Sequence, residues 1–317
     1  MTDTSKVQML VVPERQDGQR LDNFLLRELK GLPRSRVYRL IRTGEVRVNR
    51  GRCKPDTRLY RGDQVRVPPY AGRRPAHVGT PTDKLKQRLE DSVLFENEAL
   101  LVLNKPSGMP VHGGSGIALG LIEALRQIRP EWMETELAHR LDRDTSGCLV
   151  IAKQADFLRH MQAELRAGKV KKTYLALVQG AWPEELDMID LPLRKNELAS
   201  GERIVRANPD GKSALTTFQI RERLPDATLL QIGLETGRTH QIRVHCQSAG
   251  HPIIGDEKYG KNTTIPHKHL ALHAWQITFR PNPKASPSHF EAPCNSYFTK
   301  LLQSLRNSNS RGMTITG

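Results

Sequence analysis

"LTTFQIRERLPDATLLQIGLETGRTHQIRVHCQSAGHP", residues 215–252, holds the pattern that decides the fold. Residues 215–224 and 227–236 are rich in apolar and β-branched side chains, and only Pro225 and Asp226 part them, so they read as successive strands. The period then changes. Residues 237–252 set Ile242, Cys246 and Ala249 on one helical face and Arg243 off it, and Gly250 and Pro252 end the run. Working outward, residues 99–106, 147–153, 172–180 and 270–279 read as further strands, and 120–130 and 154–168 as helices, the second closed by Gly168. Strands dominate and do not alternate strictly with helices. The predicted class is α+β, with a mixed, largely antiparallel sheet over residues 91–317.

Upstream the texture differs. "PYAGRRPAHVGTPTDKLKQ" (69–87) has proline, glycine and charge without a sustained apolar period, and residues 76–90 are expected to be a linker. Before it, Leu21, Phe24, Leu25 and Leu29 fall at helical spacing, as do Val37, Leu40 and Ile41 ahead of Gly44. Arg34, Arg36, Arg39 and Arg42 lie largely off that second face. Residues 45–68 alternate apolar and basic side chains around an Asn-Arg-Gly and an Arg-Gly-Asp turn, the signature of short strands. Two helices followed by a small, arginine-studded β-ribbon resemble the S4 RNA-binding domain, here over residues 1–75 with an N-terminal extension.

The formal net charge is +15 in 317 residues, with a pI near 9.9. Residues 1–75 hold 18 Lys and Arg against 8 Asp and Glu, a net of +10. A basic face could be merely solvated. Arginine, however, heavily outnumbers lysine here, and its planar fork suits phosphate, so a polyanion is the expected partner. Four cysteines, Cys53, Cys148, Cys246 and Cys294, form no CxxC pair, which argues against a zinc ribbon or disulfide framework. No apolar run reaches membrane-spanning length and no secretory leader pattern opens the chain, so a cytoplasmic protein is expected.

The chemistry centres on "HRLDRDTSG" (139–147), where Asp142 and Asp144 stand two apart. A metal site would need His139, His240 or His245 to join them, and no HExxH, EF-hand or Cys/His cluster supports that reading. Ser146 lacks a nucleophile elbow. "NKPSG" (104–108) lacks the spacing of a phosphate loop, and "GGSG" (113–116) alone says little. A glycosidase would need a facing carboxylate such as Glu235, which spacing cannot establish. One working carboxylate in an arginine-rich setting remains, with no cofactor signature.

"NKPSGMPVH" (104–112), "HRLDRDTSG" (139–147), "KTYLALV" (172–178) and "GRTHQIRVH…GHPIIGDEKYG" (237–260), in that order, resemble the RluA family of pseudouridine synthases. The resemblance covers roughly residues 90–295, and the S4-like domain ahead of it fits. It implies isomerisation of uridine in RNA: the base leaves the ribose at N1, turns, and rejoins it through C5, with no metal, nucleotide or redox cofactor. The family motif makes Asp142 the catalytic carboxylate and places at Arg243 the cation that favours its ionised form. Tyr174 matches the residue lying against the uracil, where a phenol can stack and move a proton at C5; on strand pattern alone it would be an ordinary core aromatic. Arg140 resembles the arginine that fills the gap left by the flipped base. His139, Lys105 and Arg238, with the four arginines at 34–42, complete the expected RNA contacts. Asp144 is expected to be structural, accepting backbone N–H bonds in its turn. Attack on the ribose, attack on the base and abstraction of a sugar proton all stay open for Asp142, with the family's chemistry favouring a glycal-type route. The implied substrate is 23S ribosomal RNA, with tRNA or other rRNA sites as the alternative target and a non-catalytic RNA-binding protein as the rival class. A monomer without an obligatory protein partner is expected.

Overall fold

The computed structural model describes residues 6–29, 32, 34–70, 79–113, 119–197, 203–260, 265 and 267–311. The chain divides into two units, residues 1–79 and 80–317.

In the first unit, β1 (Gln8–Val11) precedes α1 (Leu21–Glu28), α2 (Arg34–Arg42), β2 (Arg47–Val48) and β3 (Gln64–Val67). The strands form an antiparallel sheet in the order β1-β3-β2. The helical spacing seen in the sequence is the core: Leu21, Phe24 and Leu25 of α1 pack with Val37, Leu40 and Ile41 of α2 and with Val65 and Val67 of β3. Asn49 and Arg50 both take positive φ, as the centre of a tight two-residue turn requires, and the Gly51 N–H donates to the Val48 carbonyl at 2.8 Å. Arg36, Arg39 and Arg42 are exposed; the side chain of Arg34 lies outside the described residues.

The second unit opens with α3 (Asp83–Glu90), capped by the Thr82 hydroxyl accepting from the Leu85 N–H. This helix falls inside the segment expected as a linker. Its apolar face is only Leu85 and Leu89, too short a period to register in the sequence, yet Leu89 is fully buried in the main core.

Then come β4 (Val93–Glu96), β5 (Leu100–Lys105), α4 (Leu121–Ile128), β6 (Glu136–Leu137), β7 (Ser146–Ala152), α5 (Ala155–Arg166) and β8 (Lys171–Gln179). β9 (Met188–Asp190), β10 (Leu193–Glu197), β11 (Arg203–Ala207), β12 (Leu215–Arg223), β13 (Ala227–Leu234) and α6 (Gln241–Ser248) follow, with β14 (Leu272–Phe279), β15 (Ser288–Glu291) and α7 (Ser296–Arg311) last. Ten strands form one sheet along the path β4-β5-β7-β14-β8-β13-β12-β9, with β15 on β14 and β6 on β7. Every pairing is antiparallel except β7 with β14. The α+β expectation with a mixed, largely antiparallel sheet therefore holds.

Residues 100–103 of β5 and 148–152 of β7 are apolar at every position because both faces are covered. Leu101, Leu103, Leu149 and Ile151 enter one core, while Leu100, Val102, Cys148 and Val150 enter another with Phe157 and Phe279. β10 and β11 form a separate two-stranded sheet, with Leu193 also bridging to Lys212, and Leu193 and Val205 of this hairpin pack on Val244 of α6.

Candidate active site

The loop bearing Asp142 descends into β7, and hydrogen bonds from several elements pin it. Lys105, at the end of β5, is wholly buried, and its Nζ donates to the carbonyls of Pro106, Met109 and Arg143 at 2.8–2.9 Å. The Ser107 hydroxyl donates to the Asp144 carbonyl at 2.7 Å. The Val150 N–H donates to His139 Nε2 at 3.0 Å. Beneath the loop, Ser146 Oγ meets His273 Nδ1 at 2.8 Å and accepts from Asn295 Nδ2, while His273 Nε2 faces the Ala292 carbonyl. This Ser–His pair is buried and braces the β7–β14 seam. At that seam Gly147 takes φ 110°, and a Cβ there would collide with the Ala274 backbone.

One expected RNA contact thus serves the fold instead, and a second, His139, is half-buried with one ring nitrogen already used by the fold. Lys105 is sealed from any ligand. Burial pushes its ammonium down to about 7, against the pull of Asp144 and Asp142. Three carbonyl acceptors nevertheless need three N–H bonds, which only the ammonium form supplies. His139 has its Nε2 committed as an acceptor, and burial, helped by the Lys172 charge, pushes it down to about 4, so the ring is neutral. The sequence could not separate Lys105 from an exposed cation, because burial is a tertiary property.

Asp142 stands where two hollows meet. One is a cleft of about 1050 Å³ lined by Arg140, Arg143, Lys258 and Lys268. The other, of about 560 Å³, is lined by Tyr174, Leu272, Lys172 and Arg238. His139, Arg140, Leu141, Asp142, His240 and Arg243 line both. Tyr174 reaches its hollow from β8 in the middle of the sheet, and β14 bulges opposite it between His273 and Gln276. Burial, then the Asp142 charge, holds the Tyr174 phenol above its usual value, so it is a proton donor at neutral pH. Arg140 is exposed; Arg238 is exposed too and donates from Nε to the Ser213 carbonyl at 2.9 Å.

Arg243 departs from expectation in two ways. It lies off the apolar stripe of α6 yet is buried, as are all of the first six residues of that helix. Its guanidinium clasps Asp256 rather than Asp142, with Nε to Oδ2 at 2.8 Å and Nη2 to Oδ1 at 2.7 Å. Asp142 feels Arg243 as a nearby charge, and the side chain it approaches is His240, with Nε2 to Oδ2 at 3.9 Å. Asp144 is held by the neighbouring Arg143 guanidinium at 2.9 Å rather than by the N–H groups of its turn.

Sequence reasoning missed Asp256, Tyr259, His240 and Gln241. Asp256 Oδ1 also accepts the N–H groups of Lys258 and Tyr259, the local bonding of an Asp-initiated turn. That signal was present in "GDEKYG". Gln241 stitches α6 to β12, donating to the Leu215 carbonyl and Thr216 hydroxyl while accepting from Thr236 and the Arg238 N–H. Gly255, at φ 76°, lets the turn press against the His269 carbonyl. Among the described residues, no group of three or more His, Cys, Asp or Glu side chains is placed to hold a metal, and no helix is long and apolar enough to cross a membrane.

Comparison with known proteins follows the same lines. Residues 19–65 match the S4 domain and residues 99–248 match the RNA pseudouridylate synthase family. The chain is 49% identical to ribosomal large subunit pseudouridine synthase C of Pasteurella multocida over 96% of its own length and 95% of that protein's. Against the Escherichia coli protein of the same name, identity is 45%, covering 96% and 99%. Among solved structures, human RNA pseudouridylate synthase domain containing 4 superposes with a TM-score of 0.58 at 26% identity, covering 70% of this chain and 96% of that one. A cationic cleft, a carboxylate loop beside a buried tyrosine, and near-full-length identity of this order lead to one conclusion: the chain belongs to the RluA family of RNA pseudouridine synthases.

Proposed function

We propose that this protein converts specific uridines of 23S ribosomal RNA to pseudouridine, with Asp142 as the catalytic carboxylate. The observation that carries the reading is the position of Asp142, at the junction of the cationic cleft and the hollow containing Tyr174. A cleft rich in Arg and Lys suits the phosphate backbone, and the smaller, more apolar hollow suits a flipped uracil. The Asp142 carboxylate acts at the ribose as the N1–C1′ bond breaks. Tyr174 lies against the freed ring; C1′ bonds to C5, the C5 hydrogen leaves as a proton to solvent and N1 takes up a proton in its place, with the neutral phenol relaying protons at the ring. Arg140, exposed at the edge of both hollows, fills the vacated stack. Arg36, Arg39 and Arg42, with Arg34, add phosphate contacts from the S4 domain. The chemistry draws on no metal, nucleotide or redox cofactor. The protein acts in the cytoplasm as a monomer with no obligatory protein partner.

The test is release of tritium from 23S rRNA transcribed with [5-³H]uridine. Wild type should release tritium from this RNA and not from tRNA. Asp142→Asn should fall to background, a loss of about a thousandfold or more, while still binding RNA. Asp144→Asn should stay within severalfold of wild type. A folded Asp142→Asn protein of near wild-type rate would remove Asp142 from the chemistry. A preference for tRNA would replace the substrate.

A further inference from the structure

His240 caps α6 with its backbone in the left-handed region, φ 54° and ψ 21°, where few residues other than glycine and asparagine sit without strain. Its side chain joins two partners. Nε2 lies 3.9 Å from Asp142 Oδ2, and Nδ1 lies 2.8 Å from the Tyr259 hydroxyl. That hydroxyl also accepts the Val205 N–H from β11 at 3.1 Å. A phenol has one proton to give. Donated to His240 Nδ1, it satisfies both groups. If Nδ1 carried the imidazole proton instead, the phenol proton would have no acceptor among the described residues. The phenol contact at Nδ1 thus favours the tautomer of neutral His240 that carries its proton on Nε2, facing Asp142.

Tyr259 is itself fixed. Its N–H donates to Asp256 Oδ1 at 3.0 Å, and the Arg243 guanidinium lies 5.1 Å from its ring centroid. Asp256 thus orders Arg243 and Tyr259 together, and Tyr259 orders His240. The charged and titratable groups facing His240 are Asp142 from the carboxylate loop, Arg243 from α6, and Asp256, Lys258 and Tyr259 from the turn after α6. Burial, Arg243 and Lys258 disfavour the imidazolium; Asp142 and Asp256 favour it less strongly, and the ring is held below its usual value.

We propose that His240 is a positioning residue for Asp142: its Nε2–H, aimed by Tyr259, holds the carboxylate toward the ribose and closes from 3.9 Å to hydrogen-bond distance when RNA fills the cleft. This rests on Asp142 being the catalytic carboxylate. A neutral donor orients the carboxylate and leaves its charge available. An imidazolium would instead tether it as an ion pair, so conversion should fall on the acid side as His240 gains its second proton.

Single-turnover tritium release from the labelled 23S transcript tests this on the full-length protein. His240→Ala should slow conversion about thirtyfold with RNA affinity within about twofold, and His240→Gln, which restores an N–H donor, should recover to within about fivefold of wild type. The acid limb of the wild-type pH profile should vanish in His240→Gln. In ¹⁵N-histidine spectra, with His240→Gln identifying the resonance, wild type should show the Nε2–H form and Tyr259→Phe a mixture. Wild-type conversion by His240→Ala beside a dead Asp142→Asn overturns the role of His240 alone. An active Asp142→Asn overturns the reading beneath it. An Nδ1–H form in the wild type, or an unchanged acid limb in His240→Gln, also overturns the proposal. Should His240→Ala fail to fold, the spectra and the His240→Gln profile still decide.

Discussion

The basic side chains of α2 and those around the catalytic loop are the same residue types in opposite surroundings. Arg36, Arg39 and Arg42 stand in solvent on a helix whose other face makes the small core. Arg243 and Lys105 are buried, the first clasped by Asp256 and the second by three carbonyls. An exposed cation acts through a screened field and is individually dispensable. A buried one acts as a strut, because any partner it loses leaves a charge or a carbonyl stranded. Positive charge in this chain therefore stands in two settings, free in solvent on α2 and locked into the structure around the carboxylate loop.

Mutations at the two places should separate these settings, and the buried pair should respond most. Asp256→Asn leaves Arg243 without its counter-charge and should cost about 3–5 kcal/mol, on the order of 10 °C in melting temperature by calorimetry. A shift under about 2 °C would show that the pair is not a strut. Lys105→Met keeps the bulk and removes all three donors; a loss of about 2–4 kcal/mol is expected, with slower tritium release because the carbonyl of Arg143, next to Asp142, loses its anchor. Undiminished stability and rate would reassign Lys105 to passive filling.

His139 contributes a pH dependence of definite sign. Its folded value, about 4, lies below the unfolded value, so between them the unfolded chain binds the extra proton. The stability it supplies is complete above about pH 6.5 and is lost as pH falls toward 4, by at most about 3 kcal/mol. Denaturant titrations of wild type and His139→Gln across this window should diverge on the acid side and run parallel above it. Parallel curves throughout would mean the ring is solvated. The smallest effect belongs to α2. Converting Arg36, Arg39 and Arg42 to Gln should weaken rRNA binding about tenfold at moderate salt and flatten the salt slope, while saturated turnover and melting temperature stay unchanged. An unaltered salt slope would take α2 out of the RNA contact.

Much of this was legible in the sequence where a pattern is local. The six longer strands, the helices α1, α2, α4, α5 and α6, and the order of the motifs all follow from period and punctuation. β1, β4, β6, β9, β10, β11 and β15 escaped because each is five residues or fewer, α3 because it has only two apolar residues on its face, and the C-terminal α7 escaped as well. In the site, motif resemblance brought Asp142, Tyr174, Arg140 and Arg243 to notice, and the structure gathers all four around the same two hollows. Which cation was sealed inside was not legible. "NKPSG" and "HRLDRD" both show a charged residue beside a turn, and only the folded chain distinguishes buried Lys105 from exposed Arg140. The choice of Asp256 over Asp142 by Arg243 was hidden for the same reason: both aspartates are distant in sequence, and proximity decided between them.

The one parallel seam of the sheet also orders events in time. Ser146 of β7 and His273 of β14 lie 127 positions apart. At translation rates of about 5–20 residues per second, some 6–25 s separate the synthesis of the two strands. Through that interval the apolar strand "SGCLVIA" has β5 along one edge and β6 on the far end of the other, so the Ser146–Gly147 end that β14 will take stands unpaired. The carboxylate loop rests on that end of the strand, so its footing is complete only once β14 has arrived. The same interval is when the molecule is most open to sticking to its neighbours.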